Sequence, residues 1–153
     1  MADVKFLNPD TLGKPLGQYS HLTRVKASEF IFIAGQVGVD SNGKLVGDGD
    51  FDAQCVQTFA NIEAALKSVG AGWGNIVQFT TYLVHSQDIS KFMKYRLREF
   101  PKMFPTGAYP PNCPAVGGVA SRAVKVVTVT VRDRTSTGRI LIRESSTFDA
   151  ATG

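Results

Sequence analysis

Residues 29–39 read EFIFIAGQVGV. The run is continuously apolar and rich in β-branched and aromatic residues. A strand with one wet face alternates apolar and polar side chains, and this one does not. It is therefore expected to be a strand buried on both faces. That expectation constrains the whole fold, because whatever packs on one side of this strand, something must also cover the other.

The rest of the chain supplies partners for one side. QYSHLTRVKA alternates Tyr19, His21 and Thr23 against Ser20, Leu22 and Arg24, a period of two that predicts a strand. Residues before it, up to about Pro15, read as an irregular or extended lead. DSNGKLVGDGD is a loop with the Gly/Asn/Asp chemistry of tight turns. From Phe51 to Gly70, Val56, Phe59, Ile62, Leu66 and Val69 recur at three- and four-residue steps, one helical stripe. Asp50 or Asp52 can cap its start and Gly70 its end. NIVQFTTYLV alternates as a strand, SQDISKFMKYRLREF reads as a second, basic helix, and AVKVVTVTVRD alternates valine and threonine. A further strand is possible within 115–121. Beyond Asp133 the sequence is polar apart from Ile140–Ile142, which offers a short edge strand or stays loose. The order β-β-α-β-α-β predicts an α+β domain with two helices on one face of a mixed sheet. Two helices cover only one face, so self-association is expected.

Composition excludes several classes. The 153 residues are 43% hydrophobic and 20% charged with a net charge of +4, which fits one soluble domain. The basicity is mild and spread out, with two Lys/Arg clusters, at 91–102 and 132–143, that lack the interleaved aromatics of a nucleic-acid platform, so a solvated helix face and a polar tail are the simpler reading. Cys55 and Cys113 stand far apart, outside any metal or disulfide spacing. No apolar run reaches signal-peptide or bilayer length, so the expected setting is cytoplasmic, with reduced thiols and no membrane.

Few residues offer chemistry. GAGWG at 70–74 ends a helix and precedes a strand, the reverse of a phosphate loop, so it reads as a helix cap. Tyr19 and His21 share one strand face and could serve acid–base work, although a lone strand histidine is more often simply hydrogen-bonded. Ser20 has no acid partner, Cys113 has nothing nearby to lower its pKa, and no pair of carboxylates stands out.

Four stretches in combination, LGQYSHLTRV, FIFIAGQVGVDSNGKLVG, AQCVQTFANIEAALKSVGAGWGNIVQFTTYLV and VVTVTV, resemble the RidA/YjgF family of reactive-intermediate deaminases, also known as L-PSP-type endoribonucleases. The likeness runs from about Phe6 to Val131. It implies a chorismate-mutase-like α+β fold at 1–133, with 134–153 as a polar C-terminal extension. It also implies a homotrimeric barrel with helices outside and small-molecule clefts between subunits, and no cofactor or metal. In active members an arginine after a Pro-Ala step grips the substrate carboxylate. A tyrosine of the first strand, an asparagine of the second helix and a glutamate of the last strand assist.

Carried over residue by residue, the tyrosine is Tyr19 and the Gly-Gln step is Gly35-Gln36. The arginine position after Pro114-Ala115 falls on Val116, followed by Gly117 and Gly118, with Arg122 the nearest arginine. The asparagine falls near Met93 and the glutamate near Thr128. Three polar contacts have become Val, Met and Thr, which argues against the ordinary 2-imino acid deaminase reaction and for a neutral or apolar ligand. The reading is a divergent enzyme acting on an imine, enamine or related carbonyl compound, with Tyr19 as proton donor and the amides of Gly117 and Gly118 polarising a carbonyl oxygen. The alternatives are a non-catalytic small-molecule-binding module and, with less support, an RNA-acting protein.

Overall fold

The structure is a computed structural model that describes residues 2–116 and 124–132. Its elements are β1 (Asp3–Leu7), β2 (Leu22–Lys26), β3 (Glu29–Val37), α1 (Phe51–Ser68), β4 (Ile76–Leu83), α2 (Asp88–Met103), β5 (Asn112–Val116) and β6 (Val124–Arg132). Strands β1 and β2 form an antiparallel pair, with Asp3 opposite Lys26 and Leu7 opposite Leu22. The other four make a mixed sheet ordered β3-β6-β4-β5, in which β6 runs antiparallel to both neighbours and β5 lies parallel to β4. The expected α+β architecture is present. Among the described residues no helix is long and apolar enough to cross a membrane.

The two-faced reading of β3 is visible in its side chains. Ile33 is buried and Ile31 packs on the core, whereas Phe30 and Phe32 on the alternate face are 53% and 76% exposed. On β4 the same alternation buries Phe79, Thr81 and Leu83 and leaves Tyr82 41% exposed. The helices thus cover one face of the sheet, and the other presents large apolar side chains to solvent in the single chain. The Ala34-Gly35-Gln36 step is a β-bulge: Ile33 pairs with Thr128 but Gln36 with Val126, so β3 spends one residue more than β6. A second register shift, between Ile76 and Gln78, lets both Ile76 and Val77 be buried.

Helix α1 begins where Asp50 accepts the Ala53 amide (3.1 Å). It ends in a Schellman motif. The Gly70 amide reaches the Lys67 carbonyl, the Ala71 amide reaches that of Leu66, and Gly70 holds φ at 69°. Its buried stripe is Cys55, Phe59, Ile62 and Leu66. Val56, expected on that stripe, is 51% exposed, because Cys55 gives the better four-three-four spacing. Asn61 ties the helix to the end of β3 by donating to the carbonyls of Val37 (3.0 Å) and Val39 (2.9 Å). Just beyond, Gly38 lies so close to α1 that an added Cβ would stand 2.9 Å from Gln54 Cα.

Phe59 is the centre of the core. Its ring meets those of Trp73, Phe79, Phe92, Tyr95 and Phe100 at 5.3–6.5 Å between centroids. These rings come from α1, α2, β4 and the turn between α1 and β4, so one side chain joins both helices to the sheet.

Four sequence expectations are corrected. The lead contains a strand, β1, because Asp3–Leu7 finds a ladder partner in β2. Strand β2 starts at Leu22, not near Tyr19: its partner β1 stops at Leu7, and Asp10–Leu12 turns away as a 3₁₀ segment. The strand expected within 115–121 begins earlier, at Asn112, beside β4. Helix α2 starts at Asp88 with Gln87 as its cap residue and runs through Pro101 to Met103, since a proline in the last turn removes only one hydrogen bond. The extension at 134–153, with its Ile140–Ile142, lies outside the described residues.

Two substitutions test this packing. Phe59→Ala is expected to cost about 4 kcal/mol in urea unfolding, from lost transfer free energy plus the cavity among five rings. Gly38→Ala is expected to cost about 2 kcal/mol in the same measurement, because the new methyl meets helix backbone that cannot move aside; unchanged stability would disprove the close approach.

Candidate functional site

Tyr19 sits in the loop between the 3₁₀ segment and β2, half-buried. Its hydroxyl accepts from the Leu16 amide (3.3 Å) and its own amide donates to the Gly17 carbonyl (2.9 Å). The ring meets His21 edge to face at 5.8 Å. His21 is held from both ends: its amide donates to Asn8 Oδ1 (2.9 Å) and Nε2 lies 3.2 Å from the Gly13 carbonyl. A carbonyl only accepts, so Nε2 carries the proton there. Tyr19 and His21 do adjoin, as expected, but through loop contacts and not across a strand face.

Met93, from α2, comes to the same loop. A Cβ on Gly17 would stand 3.2 Å from Met93 Cε and 3.9 Å from the Tyr19 ring. Gly17 is thus a bare spot beside both the Met93 thioether and the Tyr19 ring. Tyr19 and Met93, far apart in sequence, both lie beside Gly17.

The remaining expected residues lie elsewhere. Gly35 and Gln36 form the bulge of β3, where Gln36 Nε2 donates to the Ala34 carbonyl (3.1 Å). Val116 ends β5 opposite Leu83 and is 46% exposed. Strands β3 and β5 are the two edges of the described sheet, about 14 Å apart at three strand spacings. Within one chain, then, Gln36 and Val116 stand at opposite edges. Thr128 occupies the β6 register position across from Ile33 and Phe79. Gly117, Gly118 and Arg122 lie outside the described residues.

Three residues near Tyr19 escaped the sequence reading. Arg96 was grouped with the solvated basic face of α2, yet it is only 3% exposed. Its guanidinium lies 4.5 Å from the Phe100 centroid and 5.8 Å from that of Phe92, and Nη2 donates to the Gln18 carbonyl. Burial lowers its pKa to about 10, so it stays cationic at neutral pH. Gln18 Nε2 donates to the Tyr109 hydroxyl (3.4 Å), and Tyr109 packs against Phe100 and Phe104. The signal was available in the spacing, because 92, 96 and 100 fall on one helical stripe.

Three other α2 cations are ion-paired. Lys91 bonds Asp88 (2.9 Å), Arg98 bonds Asp52 (2.8 Å) and Glu99 (2.6 Å), and Lys102 bonds Glu99 (2.9 Å). The Arg98 and Lys102 contacts hold the Glu99 carboxyl below its usual range. Cys55 is buried in the core, which pushes its thiol well up and out of reactive range, whereas Cys113 is exposed on β5 opposite Thr80. Among the described residues no group of three or more His, Cys, Asp or Glu side chains could hold a metal ion.

Known proteins share this architecture. A RutC family protein of Pyrococcus horikoshii is 36% identical over 78 residues, which cover 51% of this chain and 60% of that protein. The human 2-iminobutanoate/2-iminopropanoate deaminase is 31% identical over 94 residues, 61% of this chain and 66% of that one. The chain therefore spans about three fifths of the length of the curated relatives it matches. Among solved structures, the Rid-family protein YyfB of Yersinia pestis has the same fold, with a TM-score of 0.71, 22% identity, and coverage of 84% of this chain and 98% of that one. The family model described as Endoribonuclease L-PSP matches residues 11–131, most of the chain. The chain belongs to that family, the RidA/YjgF family.

Proposed function

We propose that the chain binds a small uncharged organic molecule in a cleft closed between copies of itself, and hydrolyses an imine, an enamine or a related carbonyl compound there. The observation that carries this reading is the division of the candidate site. Tyr19 and Met93 both lie beside Gly17, Val116 ends one sheet edge, and Gly35-Gln36 forms the bulge of the other. A cleft using both edges needs a second copy to bring them together. The uncovered sheet face, with Phe30, Phe32 and Tyr82, offers the surface on which copies would associate. A closed homotrimer is the assembly that the family resemblance supports.

The imine chemistry is suggested by the deaminase among the relatives. By the family likeness the arginine position falls on Val116 and the asparagine near Met93, so the ligand proposed for this chain has no carboxylate to be held. Water adds to the imine carbon and forms the new C–O bond. The Tyr19 hydroxyl gives a proton to the nitrogen and recovers one from the attacking water. The hydroxyl proton of the resulting carbinolamine then passes to its nitrogen, and cleavage of the C–N bond releases ammonia and the carbonyl compound. The amides of Gly117 and Gly118 are proposed as donors to the developing oxygen, beside Val116, with Arg122 and Thr128 further along the cleft wall.

Assembly is tested by light scattering. The wild type is expected at three times the 16.5 kDa chain mass and Phe32→Asp at the chain mass with its helical signal intact. A monomeric wild type would remove the shared cleft. Activity is tested with imines made in situ, one from an amino acid and one from a simple amine. Ammonia release is expected to accelerate only with the second, and to fall about a hundredfold in Tyr19→Phe, the usual scale for a lost proton donor. No acceleration with either imine would sink the catalytic reading, and full activity in Tyr19→Phe would remove that residue from the chemistry.

A further inference from the structure

We propose that Arg96 is a positioning residue: its buried guanidinium sets the peptide plane between Gln18 and Tyr19 and thereby aims the Tyr19 side chain. That Tyr19 belongs to a ligand site rests on the reading above; the positioning itself does not.

The guanidinium is an odd choice for this place if stability were its purpose. It lies on the buried stripe between Phe92 and Phe100, and among the described residues no carboxylate pairs with it. The two aromatic faces compensate part of the desolvation. Its Nε has no hydrogen-bond partner, and neither has Oε1 of Gln18, although both atoms are buried. A methionine would fill the same stripe without the orphaned Nε. Replacing buried charge by an apolar side chain of similar volume is often neutral or stabilising.

The hydrogen bond that Arg96 makes among the described residues is specific. Nη2 donates to the Gln18 carbonyl, and that carbonyl shares a rigid peptide plane with the Tyr19 amide. The Tyr19 amide in turn donates to the Gly17 carbonyl. The plane is therefore gripped at both ends, by the helix through its oxygen and by the loop through its N–H. The Gln18 side chain adds a second tie, to Tyr109. With the plane set, the Tyr19 ring leaves the backbone in the direction that lets its hydroxyl meet the Leu16 amide and its edge meet His21. The loop has no ladder partner to hold it otherwise, since β2 begins only at Leu22.

Amide hydrogen exchange of the whole protein, without any ligand, separates this role from a structural one. In Arg96→Met the amides of Leu16, Tyr19 and His21 are expected to exchange about tenfold faster, the scale of one charge-assisted hydrogen bond. Amides of α1 and β4 are expected to keep their protection, and the melting temperature to stay level or rise. Arg96→Lys, which keeps a cationic donor, is expected to restore part of the loop's protection. Loop exchange unchanged in Arg96→Met would overturn the proposal. So would a uniform loss of protection or a failure to fold, either of which would make Arg96 a core residue only. A Lys variant no better than Met would show that the donor is not what holds the loop. Because the readout needs no substrate, a failed imine assay leaves this result standing.

Discussion

The Phe59 ring is the contact on which the other elements depend. A helix, a second helix and a sheet each have an apolar side, but apolar sides alone do not choose an arrangement. Five rings edge-on, tilted or stacked around a sixth do, because offset and edge-to-face geometries are preferred and interiors are close-packed. With α1 and α2 gathered on Phe59, the stripe of α2 that carries Phe92 and Phe100 must face the sheet. Arg96 lies between them on that stripe and is carried inward with them. The position of the Tyr19 loop follows, since Arg96 and Met93 are its contacts with the helix.

The same packing leaves the second face of the sheet uncovered. Phe30 and Phe32 alternate with Ile31 and Ile33, so the strand that is hydrophobic throughout divides its side chains between the core and solvent. A half-covered apolar sheet and a candidate site spread over two sheet edges are one geometric fact seen twice. Both come from a chain with two helices and a sheet that needs covering on both sides.

Much of this was readable from the residues in order. The α1 helix, with Asp50 at one end and Gly70 at the other, follows from local capping chemistry that needs no distant partner. The two-faced character of residues 29–37 follows from composition alone. The bulge at Ala34-Gly35-Gln36 was recognisable as a motif, but its shape was not, because a bulge is a mismatch between two strands and only one of them is local. Strand β1, the start of β2 and the start of β5 escaped for the same reason: each depends on whether a partner lies alongside.

The candidate site divides along the same line. Tyr19 and Met93 could be named by family likeness, yet that both lie beside Gly17 depends on a glycine that local reading had no cause to notice. Arg96 looked like one more surface cation in a basic helix. By itself the sequence determined the helices, their caps, the apolar stripes and the need to cover both faces of one strand, since these depend on spacing and on chemistry within a few residues. Only the tertiary structure decided which strands pair, which edge each candidate residue occupies and which arginine is buried, because those depend on contacts between residues tens of positions apart.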